Sequence, residues 1–233
     1  MKLIINTHRR YTTPLKHLFS TINKHCPSIY NQTILIINDC DEESIEKNVY
    51  LNARNEMMIV RTCDNMYEYT SNTVIDKYQN DDRINANYYL CIHDTCEVGS
   101  KFLSKFNFYT KKINTTWNKM NIQIIKPKNL SSNICIFRKD IMIKFASMVS
   151  LITSKKIAVD FEHGYHPNSI YNMSDKTINL SNRKYIGNKD VYNTGNQRKI
   201  FYYPDFDVIK YIFWDFEGDI VNNVVLIYEN DQK

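Results

Sequence analysis

Four short apolar runs punctuate the first hundred residues, and each one ends in polar side chains: KLIIN from Lys2, TILIIN from Thr33, MMIV from Met57 and NYYLCIHD from Asn87. After the first run, Leu15, Leu18, Phe19 and Ile22 recur at helical spacing within 12–24. The stretch DEESIEKNVYLNAR after the second run opens on acids, which favour a helix N-terminus, and 66–78 supplies a third helical pattern. The order β-α-β-α-β-α-β predicts an α/β fold with a mostly parallel central sheet flanked by helices, and ligands gather at the carboxyl ends of such strands. The near-continuous apolarity of the fourth run predicts a strand covered on both faces.

What stands at those carboxyl ends is polar throughout: NTHRRY, NDCDEE, RTCDN and HDTCE. No G-x-G-x-x-G follows the first run and no G-x-x-x-x-G-K-[ST] occurs anywhere, so the chain lacks the glycine cradles of dinucleotide and P-loop sites. Side chains would have to hold any phosphate. The six cysteines form no C-x-x-C pair, which leaves most of them as small buried hydrophobes in a reducing compartment. A hydrophobic content of 43% with 24% charged residues is ordinary globular composition and argues against disorder. A net charge of +5, spread along the chain, suits an anionic small molecule better than a nucleic-acid track.

Burying ionised carboxylates is expensive unless something compensates them, so the acids at strand ends need a purpose. Three of those ends (LIINTHRRY, LIINDCDEE and LCIHDTCE), with the later SSNICIFRKDIM, make the chain resemble glycosyltransferases of the GT-A fold over roughly residues 1–165. The resemblance implies a Rossmann-like single domain over 1–233, with a nucleotide-binding half (1–100) and an acceptor half with a C-terminal lid (101–233). It implies transfer of a sugar from a nucleotide-diphosphate donor, most simply UDP-linked, to a hydroxyl of a glycan or protein, assisted by Mn2+ or Mg2+.

Residue by residue, the resemblance makes Asp94 the metal ligand where the family has Asp-x-Asp, with Glu97 or His93 assisting. The reading from the residues alone makes Asp94 a cap of a helix beginning near Gly99, and Glu97 a solvated acid of its first turn. Asp39 would meet the base or ribose by resemblance, or would cap the next helix. Thr7, His8 and Arg9 follow the first strand where the family holds the base, and are otherwise an exposed basic loop. Asp64 and Asn65, after the third strand, carry the same two readings.

Two later segments concentrate chemistry. In KKIAVDFEHGYHP, Asp160, Glu162, His163 and His166 are bounded by Gly164 and Pro167, a composition that predicts a loop. By resemblance Asp160 or Glu162 would be the base of an inverting transfer, and His163 or His166 a further metal ligand. The segment 185–211 is either a lid carrying Arg198 to a diphosphate or a hairpin stacking aromatics on the core. VIKYIFW and DIVNNVVLIYEN then extend the same domain as a helix or strand and a final strand.

No apolar run approaches the roughly 20 residues of a membrane span, and MKLIINTHRR lacks a signal-peptide pattern, so the expected location is cytoplasmic. The abundance of Asn, Ile, Lys and Tyr points to an AT-rich genome, of the kind large DNA viruses and protists carry; a viral chain would then act in host cytoplasm. Two other function classes remain: a nucleotidyltransferase, and a non-catalytic GT-A-like module that binds a glycan or partner.

Overall fold

The computed structural model describes residues 1–50, 55–128, 134–192, 195 and 197–212. In chain order the elements are β1 (Lys2–His8), α1 (Thr12–His25), β2 (Thr33–Asn38), β3 (Ser44–Tyr50), β4 (Asn55–Arg61), α2 (Thr70–Lys77), β5 (Tyr88–His93), β6 (Cys96–Val98), α3 (Phe102–Lys112), β7 (Ile124–Pro127), β8 (Cys135–Arg138), α4 (Lys139–Val149), α5 (Lys155–Glu162), β9 (Thr177–Leu180), β10 (Lys184–Lys189), β11 (Arg198–Tyr203) and β12 (Val208–Ile212). Eight strands form one sheet in the order β3-β4-β2-β1-β5-β8-β7-β9, and β10-β11-β12-β6 form a second.

The apolar runs become central strands because both faces of the large sheet are covered. Leu3 and Ile5 of β1 enter one core with Leu15, Leu18, Phe19 and Ile22 of α1, whereas Ile4 enters the other with Val74 and Ile75 of α2 and Phe145 of α4. Each such side chain contributes about 1.5–3 kcal/mol on burial. α1 forms from its four periodic apolar residues, tolerates Pro14 because it stands in the first turn, and ends on Lys24 and His25.

Two expectations are corrected. The large sheet is mixed: β1–β2, β1–β5, β2–β4 and β7–β9 are parallel, while β3–β4, β5–β8 and β7–β8 are antiparallel. The acid-led stretch after β2 is not a helix; its residues 44–50 form β3, paired antiparallel to β4 with Ile45 opposite Val60. The β-branched and aromatic Ile45, Val49 and Tyr50 suit a strand by composition, and pairing to β4 gives its backbone the ladder a short helix would have had to supply alone. Residues 51–54 lie outside the described part.

The segment 185–211 contains a hairpin, β10–β11, whose partner β12 pairs in turn with β6. Its aromatics do stack on the core: Tyr203 and Phe206 join the cluster that holds α1. A close approach extends the pairing of β6 with β12 inside the second sheet. Gly99 donates its N–H to the Asp207 carbonyl at 2.8 Å, and a Cβ at Gly99 would overlap the Asp207 carboxylate. VIKYIFW is a strand as far as Ile212; its last two residues and DIVNNVVLIYEN lie outside the described residues. Among the described residues no helix is long and apolar enough to cross a membrane.

Candidate functional site at the carboxyl ends of the strands

The parallel pairing of β1 with β2 and β5, and of β2 with β4, brings four polar strand ends to one edge. Backbone hydrogen bonds lock them together. Arg9 donates to the Asn38 carbonyl at 3.1 Å, Asp39 to Asp64 at 3.1 Å, and Asp94 to Asn6 at 3.3 Å. The residues picked out at these ends, Thr7, His8, Arg9, Asp39, Asp64 and Asp94, are therefore neighbours on one edge. Asn65 follows them, exposed, after Asp64.

Asp39 adopts the left-handed backbone conformation (φ 62°), which a non-glycine residue enters at a cost and which recurs at functional sites. A strand follows it, so it caps no helix. Its carboxylate lies 3.3 Å from His8 Nε2 and 3.2 Å from Arg9 Nε. Because His8 Nδ1 accepts the Arg10 N–H at 3.2 Å, Nε2 is the protonated nitrogen and donates to Asp39. Burial pushes His8 below its ordinary pKa, against the pull of Asp39, so the imidazole is neutral. Arg9 also reaches Asp41, at 2.7 Å.

Asp94 is 2% exposed, in the turn between β5 and β6, so it caps no helix either. Its Oδ2 accepts the Thr7 hydroxyl at 2.6 Å. Burial pushes its carboxyl up to about 7, against the opposing effects of the Thr7 bond, the Lys210 charge and backbone donors from Thr95 and His8. His93 is driven well below its ordinary pKa by burial and by Lys210. Beside it a small recess of mixed lining takes Asn6, Glu68, Ser71, Asn72 and His93 on its polar side and Tyr69, Cys91, Ile92, Phe137 and Ile170 on its apolar side. The Oδ1 of Asn72 is buried there without a hydrogen-bond partner.

Glu97 is not a solvated helix acid. It lies in β6, where its Oε2 is 2.9 Å from His17 Nε2 and accepts the Tyr211 hydroxyl at 2.7 Å. The His17 bond, with the Tyr211 bond, holds its carboxyl below the ordinary glutamate range against the cost of burial. The Tyr192 ring closes this cluster edge-on, 5.6 Å from His17 and 6.0 Å from Tyr211.

The expected loop around 160–166 is, up to Glu162, a helix. Ser154 caps α5 by accepting the Ile157 N–H at 3.3 Å, and buried Phe161 anchors the helix on Tyr69 and Phe145. Asp160 and Glu162 are half-buried on it, and Glu162 acts electrostatically on Cys135 and Tyr171, near the start of β8. His163 caps α5 with its ring beside Tyr165, and His166 stacks on Phe161 at 4.0 Å. Arg198 is buried at the start of β11.

The described residues form no preformed cage for a divalent cation. Mg2+ at a phosphate site takes one or two carboxylates, and the substrate's phosphate oxygens and waters complete its shell. Among the described residues no three His, Cys, Asp or Glu side chains converge on one point. Asp94 offers a carboxylate already bonded to Thr7, Glu97 is taken by His17 and Tyr211, and His163 lies against Tyr165.

Lys210, Tyr192, His17, Tyr211 and Asn72 were not anticipated. The one readable signal was Lys210, a cation in the otherwise apolar strand VIKYI.

No family model matches the chain, and no curated protein matches it. Among solved structures it is similar to the S. aureus TarS 1–349 structure (10% identity, TM-score 0.45, 78% of this chain and 58% of that one). It is also similar to a glycosyltransferase involved in glycosylation of the major capsid of PBCV-1 (10%, 0.44, 78% and 82%). A second S. aureus TarS structure gives 10% and 0.45 over 78% and 35%. The chain thus spans a little over half of the first and about a third of the last. At one identical residue in ten and a TM-score below one half, these likenesses assign this chain no activity.

Proposed function

We propose that the chain is a glycosyltransferase that takes a sugar from a nucleotide-diphosphate donor, UDP-linked, and passes it to a hydroxyl of a glycan or protein. The observation that carries the reading is the convergence of four polar strand ends on one edge, with Asp39 held in a left-handed conformation and Asp94 buried beside Thr7. A carboxylate positioned by a neutral histidine and an arginine suits the N–H of a base or the hydroxyls of a ribose.

In the reaction proposed, the acceptor oxygen bonds to the anomeric carbon, the bond from that carbon to the β-phosphate oxygen breaks, and the nucleoside diphosphate departs. A carboxylate takes the acceptor proton, the role proposed for Asp160 or Glu162 if the transfer inverts. Asp39, His8 and Arg9 would seat the nucleoside, and Asp64 and Asn65 would border it. Arg198 would act from the second sheet. Stabilising the departing diphosphate is the larger demand, because charge develops there in the transition state.

The test is thermal unfolding with UDP, GDP, CDP, ADP and their sugars, each with and without Mn2+. A ligand at 100 times its Kd should stabilise by about 2.7 kcal/mol. A shift with one nucleoside diphosphate, and release of that diphosphate from its sugar on adding acceptor, supports the reading. No shift with any of them rejects it. Cys96, standing where Asp-x-Asp would have its second acid, favours one alternative, a module that binds a glycan without turnover; binding of glycan without release of nucleoside diphosphate would support it.

A further inference from the structure

A transferase that releases a diphosphate must meet it with positive charge, and the described residues gather no cluster of three ligating side chains for a divalent cation. They do bring a cation. Lys210 lies in β12 opposite Cys96 of β6, and the next residue, Tyr211, donates its N–H to the Thr95 carbonyl at 2.9 Å. That pairing fixes Lys210 against the turn that carries Asp94. In an antiparallel pair, residues directly opposite share a face, and period two puts Val98 and Val208 on that face as well. Those neighbours, Cys96, Val98 and Val208, are core residues.

Lys210 is therefore a lysine at a core position, 7% exposed. Among the described residues no carboxylate lies within ion-pair distance of it. Its charge acts on both Asp94 and His93. Asp94 is bonded in turn to Thr7, near the end of β1, and the half-buried His8 and Arg9 follow Thr7 in the chain. A buried lysine with no carboxylate within ion-pair distance needs another group to meet its donors. Stability alone would favour a methionine of similar length, so the charge points to a ligand.

We propose that Lys210 supplies the positive charge that meets a nucleoside diphosphate at the carboxyl end of β5, in place of a divalent cation. The proposal rests on the nucleotide-sugar reading above and specifies how that site handles phosphate.

The experiment is calorimetric titration of the whole chain with UDP and with uridine, in EDTA and in Mn2+, for the wild type, K210M and K210R. In EDTA the wild type should bind UDP at least tenfold more tightly than uridine, and Mn2+ should change the UDP affinity less than threefold. K210M should bring UDP to the affinity of uridine, and K210R should recover part of the difference. UDP binding that requires Mn2+ overturns this proposal and leaves the transferase reading standing. So does a K210M chain that keeps the wild-type ratio of UDP to uridine while only its Tm changes, the outcome of a purely structural lysine. Absence of binding by both ligands in both conditions overturns the proposal together with the UDP reading beneath it.

Discussion

The end of β5 and the strand β6 carry acids three positions apart, Asp94 and Glu97, in opposite surroundings. Asp94 is buried with one side-chain donor, Thr7, and burial drives its carboxyl up to about 7. Glu97 is met by His17 and Tyr211 and is held below the ordinary glutamate range. One acid is under-compensated and the other is satisfied. That is the expected contrast between a group kept for a ligand and a group kept for the fold, and it separates the edge of the large sheet from the small sheet packed against it.

The largest effect is expected at Asp94. Folded Asp94 keeps its proton up to about pH 7, whereas an unfolded aspartate loses it near 4. The folded state binds more protons between those values, so its stability falls as pH rises through that window, and the full cost is present above 7. Asp94→Asn keeps an acceptor for Thr7 and removes the cost. The variant should be more stable than wild type at pH 8, by up to about 4 kcal/mol. The gain should shrink on moving to pH 5 and disappear near 4, as urea unfolding would show. A variant less stable than wild type at pH 8 would mean that Lys210 already compensates an ionised Asp94, and the contrast with Glu97 would collapse.

The opposite sign is expected at Glu97. Its folded pKa is depressed, so its contribution is present above the ordinary glutamate value and is lost as pH falls through the folded one. Glu97→Ala leaves His17 and Tyr211 without their shared acceptor, and should cost about 2 kcal/mol at pH 7. The same urea series should show the deficit narrowing in acid, where Asp94→Asn also converges on wild type. Tyr211→Phe removes only one of the two bonds, with an expected loss of about 1 kcal/mol.

Smallest in stability is Asp39→Gly. Glycine enters the left-handed region freely, and this relief offsets the added unfolded-chain entropy and the lost His8 and Arg9 contacts, so unfolding should change by less than about 1 kcal/mol. Nucleoside binding should nevertheless weaken about tenfold, roughly 1.4 kcal/mol, if the carboxylate seats the nucleoside. Unchanged uridine affinity would move Asp39 from the ligand's side of the comparison to the fold's.

The polar strand ends were legible because they need only local information: an apolar run predicts a buried strand, and whatever ends it stands at the sheet's edge. Thr7, Asp39, Asp64 and Asp94 were all found in this way. The surroundings of the later candidates were not legible. KKIAVDFEHGYHP reads as a loop from Gly164 and Pro167, yet Phe161 anchors it as a helix on Tyr69 and Phe145, residues far away in sequence. The acid-led stretch after β2 reads as a helix, yet the open edge of β4 makes it a strand.

The sequence by itself determined the four apolar strands of its first half, two of the helices that cover them and the polar character of one edge, because hydrophobic periodicity is a property of neighbours along the chain. Only the tertiary structure decided which acids are satisfied. Glu97 finds its partners 80 residues before it and 114 after it, and the charge acting on Asp94 comes from Lys210 on β12. Electrostatic compensation depends on distance and burial in space, and no local pattern records either one.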